Sequence, residues 1–181
     1  ADCIQRAPYL IGNHGNYVKK IVFPLEILAW SSLGAALFHA MISALVLIIF
    51  YGVLHHSLHW TMLLIPVLFL PLALVTIGLS WFLASAGVFL RDLGHASGPV
   101  TTVMLFLSPV FYPVSAFPDS YRILLYANPL TFLITQAQDV LIWGKAPFWG
   151  GIGLYCVCSY LVAWAGLLWF QKTRRTFADV L

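Results

Sequence analysis

Long stretches without a charged side chain, separated by short polar clusters, set the pattern of this chain. From Ile27 to Leu54 there is no Asp, Glu, Lys or Arg. Thr61 to Leu90 is a second such run, interrupted by Pro66 and Pro71. Gly98 to about Phe117 is a third, and Pro147 to Phe170 a fourth. A helix crossing a bilayer needs about 20 apolar residues, so the pattern predicts four transmembrane helices. The second run is long enough for roughly 45 Å of helix at ~1.5 Å per residue. That exceeds the ~30 Å hydrocarbon core, so this helix should tilt, kink at its prolines or extend past the membrane.

Between the third and fourth runs, Leu124 to Trp143 (LLYANPLTFLITQAQDVLIW) is too apolar for an ordinary loop. Asn128-Pro129 breaks it, and Gln136, Gln138 and Asp139 make it amphipathic. Two short helices that dip into one leaflet and return fit this better than a crossing. Broken helices at membrane depth are tolerated only against protein or a water-filled cavity. The expected fold is all-α: a polytopic membrane protein with four transmembrane helices and a re-entrant helical pair between the third and fourth.

Composition agrees. Of 181 residues, 61% are hydrophobic and 8% charged, against about 25% charged in soluble domains. The bilayer is the solvent for most of this surface. A net charge of +3 is too small for a nucleic-acid footprint, so no nucleic-acid partner is expected. What matters is where the charges fall. Arg6, Lys19 and Lys20 precede the first run, Arg91 follows the second, and Lys172, Arg174 and Arg175 follow the fourth. With four crossings all three groups lie on one side, and only Arg122 and Lys145 on the other. The positive-inside rule then makes both termini and the Arg91 loop cytoplasmic. The chain starts at Ala1 with no signal-peptide pattern, and further sequence is expected upstream. Cys3 lies near the N-terminus, and the spacing of Cys156 and Cys158 suits no zinc site, which favours core thiols.

The junction Asn16 to Leu28 (NYVKKIVFPLEIL) joins two lysines to the first apolar run. Pro24 suits the first turn of a helix, where its missing N–H costs nothing. Glu26 then falls where the helix dipole favours an anion. Lys19 and Lys20 fit both a surface that binds anionic headgroups and one that docks another protein. Arg91 and Asp92, ending the second run, admit the same two readings.

His55 and His59 share a helix face at i, i+4, but no carboxylate or Cys nearby completes a metal site. Interfacial polar residues beside Trp60 explain them more simply. His39 lies mid-span, where an ionisable group is either functional or a neutral imidazole bonded to a neighbouring helix. Ser32, Ala36, Ala40 and Ala44 form a row of small residues that either lets another helix approach or reflects only how common small residues are in this stretch. Phe106, Phe111, Tyr112, Phe117, Tyr121 and Tyr126 cluster about the end of the third run. They serve either as lipid-facing packing or as a surface on which sugar C–H faces stack. Asp139 is placed to accept from a sugar hydroxyl or to pair with Arg122 or Lys145.

Several of these segments, in this order, resemble one family. NYVKKIVFPLEIL resembles the cytoplasmic start of a membrane helix in ABC-2 type permeases that export O-antigen, capsule and teichoic acid. Trp81 to His95 (WFLASAGVFLRDLGH) resembles the end of that family's fourth helix and the loop after it. Ser108 to Pro118 (SPVFYPVSAFP) is similar to its fifth-helix exit. Asn128-Pro129-Leu130 with Gly144-Lys145 resembles its re-entrant helices, and the basic tail from Gln171 to Arg175 also fits.

The resemblance implies that residues 1–181 are the C-terminal part of one ABC-2 transmembrane domain, preceded by an interfacial helix and two membrane helices. It implies a homodimeric subunit of the bacterial inner membrane, in contact with membrane lipids and with two copies of an ABC ATPase. ATP and Mg would be bound by that partner, because the chain has no GxxxxGK[ST] phosphate loop. The substrate would be a lipid-linked glycan. Asn16, Tyr17, Lys19, Lys20, Pro24, Glu26, Arg91 and Asp92 would face the ATPase. Phe106, Phe111, Tyr112, Phe117, Tyr121, Tyr126 and Asp139 would line the glycan's path. The permease itself is expected to carry no catalytic site, and the carboxylate pair of glycosidic chemistry is not recognisable. Two other readings stay open: an ABC-2 permease for a drug or lipid, and a membrane enzyme using His55, His56 and His59.

Overall fold

The structure is a computed structural model that describes residues 1–12, 25–55, 59–90, 92–110 and 128–177. The described residues are helical, in turns or in short irregular connections, with no strand among them. In order they form α1 (Asp2–Arg6), a 3-10 turn (Ala7–Tyr9), α2 (Glu26–His55), a 3-10 turn (Trp60–Leu64) and α3 (Ile65–Phe89). Then follow α4 (Asp92–Phe106), α5 (Pro129–Leu141), α6 (Trp149–Thr173) and a last 3-10 turn (Arg174–Thr176).

Three stretches are long and apolar enough to cross a membrane: Glu26–Leu54, Trp60–Phe89 and Trp149–Thr173. They coincide with the first, second and fourth charge-free runs. A backbone in hydrocarbon must satisfy its own hydrogen bonds, so these runs have little choice but helix. Pro66 falls in the first turn of α3, and Pro71 lies inside the helix and is buried.

The third run differs from its expectation. Its helix starts at Asp92 rather than Gly98 and ends at Phe106, and residues 107–110 are turns. An aspartate in the first turn complements the helix dipole, so the expected loop is instead the opening of α4. The remainder of that run lies outside the described residues.

α3 and α6 form the central pair. Gly78 of α3 lies against Ala163 of α6, and Gly166 of α6 lies against the Gly78 backbone. Seven residues further along α3, Ser85 bonds Thr173 hydroxyl to hydroxyl at 2.6 Å. The contacts advance together along both helices, so α3 and α6 run parallel. α2 runs antiparallel to α3. Its first residue accepts from Trp81 through the Glu26 carbonyl at 3.3 Å, and its far half packs with Met62, Ile65 and Leu68.

The core has two centres, one at each end. At the Glu26 end Ile11, Leu33, Ile77, Trp81, Phe170 and Phe177 cluster. At the His59 end Met62, Ile65, Leu68, Leu133, Val140 and Ile152 do so. The outward surfaces stay apolar: Phe38, Leu45, Phe50, Leu154 and Tyr160 are all exposed. Such faces suit hydrocarbon, not water. Cys156 packs beside the His59-end cluster. Cys158 is exposed on α6, which corrects the expectation that both are core thiols.

α5 belongs to the His59 end. The Asn128 side chain caps it by accepting from the Leu130 N–H at 3.0 Å, and the same amide donates to the Met104 carbonyl of α4 at 2.9 Å. The Tyr155 hydroxyl donates to the Pro129 carbonyl, and the Phe148 N–H donates to Gln136. As α5 advances from 129 to 136, its α6 partners retreat from 155 to 148. α5 therefore lies antiparallel along the first turns of α6, starting beside the second turn and rising towards the first. Its far end reaches the turn before α3, where Thr61 donates to the Val140 carbonyl at 2.7 Å.

Candidate functional site

Two ends of the bundle gather polar residues. At the Glu26 end, α1 and its 3-10 turn form a wedge under the corner between α3 and α4. The Pro8 backbone fits against Gly87, and the Tyr9 ring lies over Gly94. A Cβ at either glycine would collide with the wedge. Gln5 donates to the Thr101 hydroxyl at 2.7 Å, Ser97 donates to the Gln5 carbonyl at 3.4 Å, and the Cys3 thiol reaches the Ser32 carbonyl of α2 at 3.5 Å. Four residues at the start of the chain, Cys3, Gln5, Pro8 and Tyr9, thus touch α2, α3 and α4.

Glu26 is part of the same end. Its carboxylate accepts from Arg174 at 2.6 Å and is mostly buried, with 17% of its side chain exposed. Its second oxygen, Oε2, is buried with no partner among the described residues. The pair ties the first turn of α2 to the tail of α6. Arg174 is 51% exposed, so solvent screens the pair and its contribution falls within about 1 kcal/mol. Beyond it the chain folds back. Phe177 is fully buried between Phe170 and Phe89, with ring centroids 5.7 and 6.1 Å away.

Of the candidate contact residues for a second subunit, the structure brings Glu26 and Asp92 to this end. Asp92 is exposed and opens α4, two residues before the glycine under Tyr9. It is not the end of α3, as the sequence pattern implied. Asn16, Tyr17, Lys19, Lys20, Pro24 and Arg91 lie outside the described residues. The described part of the chain leads to residues 13–24 from the wedge on one side and from Glu26 on the other.

Of the candidate path residues, Phe106 and Asp139 are described, and both belong to the His59 end. Phe106 ends α4 and is exposed. Asp139 follows Gln138, whose amide donates to the Pro109 carbonyl at 2.8 Å, so the turn after α4 and the last turn of α5 are clasped together. The Asp139 backbone carbonyl accepts from Lys145 N–H at 3.0 Å. Phe111, Tyr112, Phe117, Tyr121 and Tyr126 lie outside the described residues.

The wedge and the Glu26–Arg174 pair escape a reading of the sequence. Glycines at 78, 87, 94 and 166 were the available signal, since small residues mark close approaches between membrane helices. They say that something comes near, not what.

These features define an all-helical membrane protein with crossing helices held by backbone-to-backbone glycine contact and a polar, wedge-braced end. The chain belongs to the ABC-2 type transporter family, whose pattern matches residues 2–142. It is 28% identical over 171 residues to the O-antigen export system permease protein RfbA of Myxococcus xanthus, covering 93% of this chain and 66% of the relative. It is 25% identical over 167 residues to a protein of the same description from Klebsiella pneumoniae, covering 91% of this chain and 63% of the relative. The chain thus spans just under two thirds of the length of these relatives.

Proposed function

We propose that this chain is part of the membrane subunit of an ATP-driven exporter that carries a lipid-linked cell-surface polysaccharide across the bacterial inner membrane. The observation that carries the reading is its similarity, over more than nine tenths of its length, to permeases named for O-antigen export. Two copies would form the pathway, with two ATPase subunits binding ATP and Mg on the cytoplasmic side.

The Glu26 end is the proposed cytoplasmic side. Among the described residues, Arg6, Lys172 and Arg174 fall there and Lys145 at the other end, the asymmetry that the positive-inside rule describes. The parallel run of α3 and α6 supports four crossings, because a chain joining two parallel spans has to return across the same thickness. α4 starts at the Glu26 end and its far end is bonded to Asn128, which makes it the candidate for that return. α5, rising along α6 from its second turn, supports a re-entrant pair of which it is the second limb. In the proposed mechanism the ATPase pushes on residues 13–24, with Asn16, Tyr17, Lys19 and Lys20 at the contact. Pro24 and Glu26 lead into α2, and Arg91 and Asp92 form a second contact. The aromatic residues from Phe106 to Tyr126, with Asp139, guide the glycan.

The test is reconstitution of the full-length permease with the ATPase encoded beside it. ATP hydrolysis is expected to rise when the lipid-linked glycan of the same strain is added. Stimulation by an amphiphilic drug or phospholipid instead would replace polysaccharide by another substrate. In a variant without its native cysteines, a membrane-impermeant thiol reagent should label Ser57→Cys and Ser120→Cys from outside the cell. Lys172→Cys should be labelled only after lysis, and the reverse pattern would overturn the orientation.

A further inference from the structure

α4 carries a weak point at its centre. Ser97-Gly98-Pro99 forms its middle turn, with Pro99 inside the helix. Proline lacks the N–H that bonds the carbonyl four residues back, so the His95 carbonyl loses its donor in the helix ladder. Glycine in a helix costs about 1 kcal/mol against alanine, and packing does not explain Gly98. A Cβ there meets nothing within 4 Å among the described residues. The hydroxyls of the same turns bond back along the helix. Ser97 donates to the Gly94 carbonyl at 2.9 Å and Thr102 to the Gly98 carbonyl at 3.0 Å. The Thr101 hydroxyl lies 2.9 Å from the Ser97 carbonyl and 2.8 Å from that of Gly98. Such back-bonding bends helices, and sharp kinks occur at proline and at glycine–serine pairs.

The wedge bridges this break. The buried residues of α4 are Gly94, Ser97 and Thr101, and each meets the wedge. Gly94 lies under the Tyr9 ring, the Ser97 hydroxyl is 3.4 Å from the Gln5 carbonyl, and the Gln5 amide donates to Thr101 at 2.7 Å. Gly94 and Ser97 precede Gly98-Pro99, and Thr101 follows it, so Gln5 touches both sides. Beyond Thr101, the Met104 carbonyl accepts from the Asn128 side chain, which joins the far half of α4 to the start of α5.

We infer that Gln5 is a positioning residue that splints a hinge at Gly98-Pro99. While its carbonyl holds Ser97 and its amide holds Thr101, the two halves of α4 move as one. When Gln5 withdraws, the half from Val100 to Phe106 swings, and the Asn128 cap moves with it. The chain runs from the wedge towards residues 13–24, so on the exporter reading above it is the ATPase that draws the splint. The splint itself does not depend on that reading.

Hydrogen exchange of the full-length permease in nanodiscs, without the ATPase and resolved to single amides, tests it. The N–H groups of Val100, Thr101 and Thr102 reach back four residues and so cross the break, whereas those of Ala96 and Ser97 do not. Gln5→Ala is expected to speed exchange at 100–102 roughly fivefold, the effect of one lost hydrogen bond, and to leave 96, 97 and the α6 amides unchanged. Pro99→Ala supplies the missing donor and stiffens the turn, so in Gln5→Ala/Pro99→Ala the three amides should return to native rates. A rise that persists in the double variant, or that is equal in both halves, would make Gln5 an ordinary packing contact and overturn the splint. So would the absence of any rise. Adding the ATPase with ATP and vanadate should then raise exchange at 100–102 in the native permease. If that step alone fails, the splint stands and the ATPase is not what draws it.

Discussion

Gly166→Leu leaves the permease unable to hold its native bundle. The Gly166 Cα carries nothing because the next atom out would overlap the Gly78 carbonyl of α3. Reciprocally, a Cβ on Gly78 would lie 2.7 Å from the Ala163 Cα and the Val162 carbonyl. The obstruction on both sides is backbone, which cannot rotate away like a side-chain tip. Overpacking of an ordinary core costs about 1–3 kcal/mol, and a branched side chain forced between two backbones belongs at or beyond the top of that range. Alanine at Gly166 should be milder but still destabilising, because even one methyl meets the carbonyl. The expected result is a monodisperse detergent-solubilised peak for the native protein and aggregation or loss of expression for Gly166→Leu. Equal melting temperatures for the two proteins would show that α3 and α6 do not approach in this way. Gly34→Leu is the matched control: a Cβ there meets nothing within 4 Å among the described residues.

The second large effect concerns coupling. Reversing Lys19 and Lys20 to glutamate should separate ATP hydrolysis from export. If residues 13–24 dock into an ATPase through these lysines, two glutamates set like charge against an acidic surface. Such juxtapositions cost several kcal/mol, enough to lower export by two or more powers of ten. Hydrolysis by the separate ATPase should continue. Because the same lysines help to set orientation, the variant must first pass the thiol-labelling test at Ser57 and Lys172. Correctly inserted protein with native glycan display would refute the coupling role. A single Lys19→Ala should show a smaller defect that grows with salt, since screening weakens the remaining charge.

Much of this fold could be read from where charges are absent. α2, α3 and α6 follow their charge-free runs to within a few residues, because hydrocarbon leaves the backbone no partner but itself. Asn128-Pro129 was equally legible, since an asparagine side chain caps a helix and proline suits its first turn. α4 was less so. Asp92 looked like the end of one helix and proved to be the start of the next, and a lone carboxylate carries no sign of which helix it serves. The row Ser32, Ala36, Ala40 and Ala44 pointed to a close helix approach on α2. In the structure Ser32 receives the Cys3 thiol and Ala44 packs beside the His59-end cluster, while a backbone-to-backbone approach that the row did not announce lies between Gly78 and Gly166. Gln5 and Thr101 are 96 residues apart and neither has a local pattern to announce the other. Contacts of that kind depend on how the elements assemble, and no window along the chain contains them. The candidate coupling and path residues were legible only as residue types, and the roles proposed for them rest on the family resemblance.

The parallel pairing of α3 and α6 has a consequence for how the protein is made. Gly78 emerges from the ribosome 88 positions before Gly166, roughly 4–18 s earlier at ~5–20 residues per second. Throughout that interval α3 is in the membrane with its glycine face unfilled. α6 is therefore the helix whose arrival closes this pair. A chain stalled or cut before Trp149 should persist as an inserted but open intermediate and be cleared by membrane proteases. The residues that follow α6, with Arg174 clasping Glu26 and Phe177 packed against Phe89, then act as a latch drawn once α6 is in place.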